Sequence, residues 1–187
     1  MNTTGIALLS NPQPCSHIVY SYTDHDQLAD AVSLFARSGF EKGEAVLLVL
    51  SVTHYHPVRE RLQAAGFNLA ELEATGQLVC ENAAGLLTHF MFDGIIDEYK
   101  FKSKIDRMIE KAKLGTGARK HGLVRVFGEM VDLIWTAHPK ATERLEELWN
   151  EVIQVHSVPL LCAYSLTGPR TGAIPEALTA CHSHVVS

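Results

Sequence analysis

The sequence lacks the features that mark secreted, membrane-spanning and nucleic-acid-binding proteins. Its four cysteines include no CxxC pair, residues 1–16 carry no basic segment of a signal peptide, and no apolar run approaches membrane-spanning length. The net charge of −5 over 187 residues comes with no basic stripe. We therefore expect a cytoplasmic protein with reduced thiols that binds neither nucleic acid nor membranes.

A glycine-rich phosphate-binding loop is also missing. The first β-branched segment, His17–Tyr22, is followed by the turn that would carry such a loop in a nucleotide-binding α/β protein. Residues 21–27 contain no glycine and no lysine, and Asp24 and Asp26 in the same stretch would repel phosphate. The turn predicts that the protein does not bind ATP in the usual manner and does not hydrolyse nucleotides. No cofactor is indicated.

Short apolar segments alternate along the chain with segments of helical periodicity, and 47% of the residues are hydrophobic. The predicted strands are residues 17–22, 44–50, 77–81, 122–128 and 159–164. The predicted helices are residues 24–39, 57–66, most of 83–115, a helix that includes 145–153, and a short one near 174–182. This alternation predicts an α/β protein with three layers, α/β/α, around a mainly parallel sheet of about five strands. We expect residues 1–16 to be a flexible leader and residues 17–187 to be a single domain.

Candidate ligand-binding residues end the predicted strands. Ligands of parallel α/β sheets bind beyond the carboxyl ends of the strands. The residues at those positions are Tyr22, Ser51, Glu129 and Tyr164. The carboxylate of Glu129 could orient a ligand or act as a general base, or it could form a structural salt bridge to Arg125 or another cation.

The order of several short segments resembles a known family. His17 opens the first strand, Gly43-Glu44 precedes the second, and Arg125–Met130, Leu161–Tyr164 and His182–Val185 follow. This order resembles the MEDS domain, the methanogen/methylotroph, DcmR-type sensory domain. The resemblance implies a RecA/KaiC-like fold that lacks the phosphate-binding loop. It also implies the sensing of small hydrocarbon-derived molecules, with output through DNA-binding or histidine-kinase domains.

The same resemblance groups His17, Cys162 and His182. In a RecA-like strand order the first and fifth strands are neighbours, which would bring His17 close to Cys162, with His182 folding over them. Two imidazoles and a thiolate suit zinc, but a structural zinc site needs four ligands, and the pattern supplies three. We therefore expect a packed polar cluster without a bound metal, and the sequence leaves a metal or redox site open.

These observations favour a sensory domain over two alternatives. We expect a domain without catalytic residues that binds a small ligand and signals to a separate histidine kinase or transcription regulator, with a homodimer compatible with the sequence. One alternative is a degenerate RecA-like hydrolase that uses Glu129 or the thiol of Cys162. The burial and raised pKa of a mid-strand cysteine argue against the thiol chemistry. The other alternative is a scaffold or oligomerisation domain.

Overall fold

The computed structural model describes residues 2–115, 123–167 and 172–186. Six strands form one parallel sheet in the order β3-β2-β6-β7-β1-β8, and β4 and β5 form a separate antiparallel hairpin. The strands are β1 (His17–Tyr22), β2 (Ala45–Leu50), β3 (Leu78–Asn82), β4 (Met91–Phe92), β5 (Ile95–Ile96), β6 (Val124–Gly128), β7 (Leu160–Ser165) and β8 (His184–Val186). The α/β fold with a mainly parallel sheet is confirmed.

Helices cover both faces of the main sheet. They are α1 (Thr3–Ser10), α2 (His25–Glu41), α3 (Val52–Ala64), α4 (Leu69–Ala74), α5 (Ala83–Leu87), α6 (Glu98–Gly115), α7 (Met130–Ile134), α8 (Pro139–His156) and α9 (Glu176–Thr179). Helices α1 to α4 contribute to one buried apolar cluster, and α5 to α9 contribute to another on the opposite face. Two separate cores therefore hold the sheet between two helix layers.

The continuous apolar run of β2 explains its central position. Every residue of this strand is buried, because successive side chains point to opposite faces and both faces are covered by helices. Leu47 and Val49 join one core, whereas Leu48 and Leu50 join the other. A strand with one solvated face would instead alternate apolar and polar residues.

The expected flexible leader contains helix α1, which packs against α2. The side chain of Asn2 accepts a hydrogen bond from the backbone N–H of Gly5 and so caps the first turn. Leu9 is fully buried, and the guanidinium of Arg125 donates to the carbonyl oxygens of Leu9 and Ser10. Burial of one leucine and capping of both ends order a segment that its polar composition did not mark as helical.

Two predicted helix ends lie elsewhere in the structure. Helix α2 continues past Gly39 to Glu41, and α3 begins at Val52, so that Pro57 lies inside it. Gly39 is favoured by packing, because a Cβ atom there would lie 3.0 Å from Cδ and Nε of the Arg125 side chain, a tight contact. A glycine near the end of a periodic segment was therefore wrongly interpreted as a helix stop.

The segment predicted to be mostly helical, residues 83–115, is interrupted by the β4–β5 hairpin. Asp93 and Gly94 connect its strands with φ angles of 50° and 76°. An Asp-Gly pair with both φ angles positive is typical of a two-residue hairpin turn. Helix α7 and the sixth parallel strand, β8, were also not predicted. No helix in the described part of the chain is both long and apolar enough to cross a membrane.

Candidate functional site

A buried network of polar side chains lies at the carboxyl ends of β2 and β6. The carboxylate of Glu129 accepts hydrogen bonds from the backbone N–H and the hydroxyl of Ser51, at 2.8 and 2.9 Å. Its Oε1 also lies 2.5 Å from Nδ1 of His54. Only 1% of Glu129 is exposed. Glu129 therefore anchors the first turn of α3, whereas Arg125, its expected structural partner, pairs with Glu44.

The network extends from His54 across the ends of β1 and β7. Nε2 of His54 lies 2.8 Å from Nδ1 of His25, and the ring of Tyr22 packs edge-on against His54. The hydroxyl of Tyr22 donates to Asp132, whose other oxygen accepts the backbone N–H of Ser165. Burial raises the pKa of Tyr22, and the charges of Asp132 and Glu129 raise it further. We name this set the carboxyl-edge network (Tyr22, His25, Ser51, His54, Glu129 and Asp132).

Tyr164 is not part of this network, so the four predicted ligand residues do not form one pocket. In the register of the two strands, Tyr22 pairs with Ser165, and Tyr164 pairs with Ser21. Neighbouring strand residues point to opposite faces, so the side chain of Tyr164 enters the other core from that of Tyr22. There its hydroxyl donates to Glu146, and its ring packs against Trp135. The sequence predicted both tyrosines at the carboxyl edge of the sheet, and the structure places their side chains on opposite faces there.

A cleft of about 460 Å³ opens along the edge strand β3 and reaches the carboxyl end of β2, next to Ser51. Apolar side chains and the thiol of Cys80 line it together with charged and polar groups. We name it the β3 cleft, lined by Leu50, Val52, Tyr55, His56, Glu73, Leu78, Val79, Cys80, Glu81, Asn82 and Lys111. Burial raises the pKa of the Cys80 thiol to about 11, although Arg59 lowers it in part.

A second polar site lies inside the core, under α8. We name it the buried cluster, formed by His17, Glu146, Cys162 and His182. One ligand atom from each of these residues lies within 4.8 Å of all the others. His17 Nε2 lies 3.3 Å from both Cys162 Sγ and Glu146 Oε2, and Cys162 Sγ lies 3.8 Å from the same oxygen. His182 Nε2 lies 3.4 Å from Glu146 Oε1.

Hydrogen bonds outside the buried cluster fix the orientation of both imidazoles. Nδ1 of His17 lies between two acceptors, Asn150 Oδ1 at 3.0 Å and the carbonyl oxygen of Cys181 at 3.1 Å. Nδ1 of His182 lies 2.8 Å from the carbonyl oxygen of Leu178. Each Nδ1 therefore donates a proton, and each Nε2 is directed into the cluster, where it presents a lone pair if the ring is neutral and an N–H toward Glu146 if the ring is protonated.

The electrostatics of the buried cluster place a carboxylate in the interior. Burial raises the pKa of Glu146, but the imidazoles of His17 and His182, when they are protonated, outweigh burial and hold the pKa at about 2. Burial raises the pKa of the Cys162 thiol well above its usual value, and Glu146 raises it further. Burial, followed by Glu146, also raises the pKa of Tyr164. Nε2 of His182 is fully buried and has no hydrogen-bond partner among the described residues.

Comparison with protein families identifies the chain. The model of the MEthanogen/methylotroph, DcmR Sensory domain, MEDS, matches residues 16–183. The chain belongs to the MEDS family. MEDS is a family of sensory domains, which confirms a sensory role in general terms. None of the curated proteins compared with the chain matches it.

The fold of this MEDS domain is similar to that of a solved structure. A KaiC-like protein from the hyperthermophilic archaeon Pyrococcus horikoshii superimposes with a TM-score of 0.63 at 11% identity. The alignment covers 92% of the MEDS chain and 70% of the archaeal chain. At this identity the similarity shows the RecA-like fold alone.

Glu146 is the member of the buried cluster that sequence reasoning missed in this MEDS domain. The structure brings His17, Cys162 and His182 together, and α8 adds Glu146 as a fourth donor. The sequence contained a signal for Glu146. It lies on the buried face of α8 with Thr142, Leu145 and Trp149, which follow one another at intervals of three and four residues. A charged residue on an otherwise buried helix face indicates that its side chain pairs with another buried polar group.

Proposed function

We propose that this MEDS domain senses a small organic molecule, such as a hydrocarbon derivative, by binding it without turnover in the β3 cleft. The proposal rests on the observation that the start of α3 contributes side chains to two sites. Val52, Tyr55 and His56 line the cleft. Ser51, which precedes the helix, and His54 belong to the carboxyl-edge network.

The lining of the cleft supports a ligand that is partly apolar and partly polar. Leu50, Leu78 and Val79 offer apolar contacts, while Asn82 and Lys111 offer hydrogen-bond donors. A volume of about 460 Å³ lies within the range of small-molecule sites. The cleft runs along the edge strand β3 and reaches the carboxyl end of β2, the edge of a parallel sheet at which ligands usually bind.

The shared helix provides the signalling step of the proposal. A ligand that contacts Tyr55 and Val52 favours one position of α3, and α3 carries His54 and the hydrogen bonds to Glu129. Because binding shifts the population of α3 positions, it also shifts the network and the surface around it. We propose that a histidine kinase or a transcription regulator reads that surface.

Two observations support binding without catalysis. The carboxylate of Glu129 already accepts hydrogen bonds from Ser51 and contacts His54, so it is occupied as a structural anchor. The connection between β1 and α2 consists of Thr23 and Asp24, and the side chain of Asp24 accepts the N–H of Asp26 at the start of the helix. So short a connection leaves no loop of backbone N–H groups to hold phosphate.

The proposal is tested by a thermal-shift screen of small alcohols, aldehydes, ketones and halogenated hydrocarbons. A ligand present at a hundred times its Kd raises the stability by about 2.7 kcal/mol, which raises the Tm by about 5–10 °C in a domain of this size. The variant Cys80→Phe fills the cleft and is expected to abolish the shift. Val155→Phe adds the same ring at an exposed position of α8 and is expected to preserve it.

A third variant separates the cleft from the network. Glu129→Ala leaves every cleft-lining residue in place but removes the anchor of α3, so we expect a weaker shift with the same ligands. Ligands whose shift is the same in wild-type protein, Cys80→Phe and Glu129→Ala would show that the ligand site lies elsewhere.

A further inference from the structure

We infer that the buried cluster is a closed, four-coordinate zinc site. The inference is independent of the β3 cleft, since the two sites share no residue and the cluster lies in the core formed by α5 to α9. It also differs from the expectation drawn from the sequence, which counted three donors and predicted a polar cluster without metal.

The distances between donor atoms match those around a tetrahedral zinc ion. Bonds of about 2.0 Å to nitrogen or oxygen and about 2.3 Å to sulfur place neighbouring ligand atoms roughly 3.3–3.8 Å apart. His17 Nε2 lies 3.3 Å from Cys162 Sγ and 3.3 Å from Glu146 Oε2, and Cys162 Sγ lies 3.8 Å from Glu146 Oε2. His182 Nε2 lies 3.4 Å from the other carboxylate oxygen, Glu146 Oε1, and one donor atom from each of the four residues lies within 4.8 Å of all the others.

The orientation of the donors also fits a metal. Both imidazoles donate Nδ1–H to oxygen atoms behind them and direct a lone pair on Nε2 inward, as metal-bound histidines do. With both rings neutral and no cation bound, the two lone pairs and the carboxylate of Glu146 would share a dry interior with the thiol proton of Cys162 alone between them. Nε2 of His182 is fully buried and makes no hydrogen bond to a described residue, an arrangement that costs free energy unless a proton on the ring or an ion at the centre offsets it.

The charges of the donors select the kind of ion. Two neutral imidazoles, one thiolate and one carboxylate carry two negative charges, which a divalent cation neutralises. Cys162 would bind the ion as a thiolate, because the thiolate is the form of cysteine that coordinates metals. Mixed nitrogen, sulfur and oxygen donors in tetrahedral arrangement suit Zn²⁺ better than Mg²⁺ or Ca²⁺, which prefer oxygen donors in larger numbers.

The site would fasten the C-terminal segment, residues 172–186, to the sheet. His17 begins β1, Cys162 lies in β7 and Glu146 in α8, whereas His182 lies between α9 and β8. Ser183 already forms hydrogen bonds with the backbone N–H and with the carbonyl oxygen of His17. A metal bond to His182 would add a strong link across the same junction, so that occupancy of the site controls how firmly this segment is held.

Elemental analysis of protein purified from zinc-supplemented cells provides the direct test. We expect about one equivalent of zinc per wild-type chain, because the site supplies all four ligands. Cys162→Ser and Glu146→Gln are expected to lose most of it. Cys181→Ser and Glu147→Gln are matched controls, since their side chains lie next to the site in sequence but outside the donor set, and they are expected to retain it. Cys80→Phe is also expected to retain it, which separates this test from that of the ligand cleft.

Measurements on wild-type protein keep the inference testable if a variant fails to fold. Chelator should lower the Tm and increase proteolytic cleavage within residues 172–186, and added Zn²⁺ should reverse both effects. Titration of the chelated protein with Co²⁺ should produce the intense visible bands of a tetrahedral site. A folded wild-type protein that retains no transition metal and develops no such bands would overturn the inference. Equal zinc content in wild type, Cys162→Ser and Glu146→Gln would overturn it as well.

Discussion

At the scale of single residues, Arg125 shows how a buried charge can organise three elements. Its side chain is almost fully buried, pairs with Glu44 and donates to the carbonyl oxygens of Leu9 and Phe35. It therefore links β6 to α1 and α2. A buried cation is tolerated here because each of the three guanidinium nitrogen atoms donates to at least one oxygen atom.

We predict that Arg125→Met lowers the free energy of unfolding by roughly 3–5 kcal/mol, because Glu44 then loses its partner and several carbonyl groups lose their donor. Arg37→Met, at an exposed position of α2, should change it by less than about 0.5 kcal/mol. Urea denaturation of both variants measures the difference. Equal stability of the two would mean that the Arg125 contacts contribute nothing.

Cys80 provides a prediction that depends on pH. Its pKa is raised by burial from 9.0 to about 11, so at pH 8 the thiolate fraction is about a hundredfold lower than in an unperturbed thiol. We predict slow alkylation of Cys80 in native protein at pH 8, with a rate that rises about tenfold per pH unit as pH increases toward 11. Mass spectrometry after timed alkylation measures it, with urea-unfolded protein as the control. Native and unfolded rates that agree at pH 8 would contradict the raised pKa.

At the scale of elements, the β4–β5 hairpin depends on its two turn residues. Both Asp93 and Gly94 have positive φ, and a Cβ atom on Gly94 would lie 2.7 Å from Nδ1 of His138. We predict that Gly94→Ala destabilises the protein by about 1–2 kcal/mol, through backbone strain and this close contact. Asp93→Asn should be nearly neutral, since asparagine also adopts the left-handed conformation. Thermal unfolding of both variants tests the prediction, which fails if Gly94→Ala is as stable as Asp93→Asn.

At the scale of the whole molecule, the protein has a RecA-like fold whose first turn, residues 21–27, contains no glycine and no lysine. Thr23 and Asp24 alone connect β1 to α2, and both Asp24 and Asp26 lie at the start of that helix. We predict no phosphate release from ATP or GTP in the presence of Mg²⁺, and no change of Tm with either nucleotide. Turnover that disappears in Glu129→Gln would contradict this prediction and favour a hydrolase.

The sequence by itself predicted the architecture, because local patterns report which residues are buried. The apolar run of β2, the capping of α2 by Asp24 and the periodicity of α8 each follow from neighbours along the chain. These patterns gave five of the six strands of the main sheet and their parallel arrangement. The order of short motifs also led to the MEDS family and to His17, Cys162 and His182.

Only the tertiary structure decided which side chains meet. The register of β1 and β7 placed Tyr164 on the opposite face from Tyr22, and α8 brought Glu146 to the two histidines and the cysteine. It also ordered α1, since Arg125 lies 116 positions from the Leu9 carbonyl that it binds. Register and helix docking are set by contacts between residues far apart in the chain, and the pattern of any one segment contains no information about the segment against which it packs.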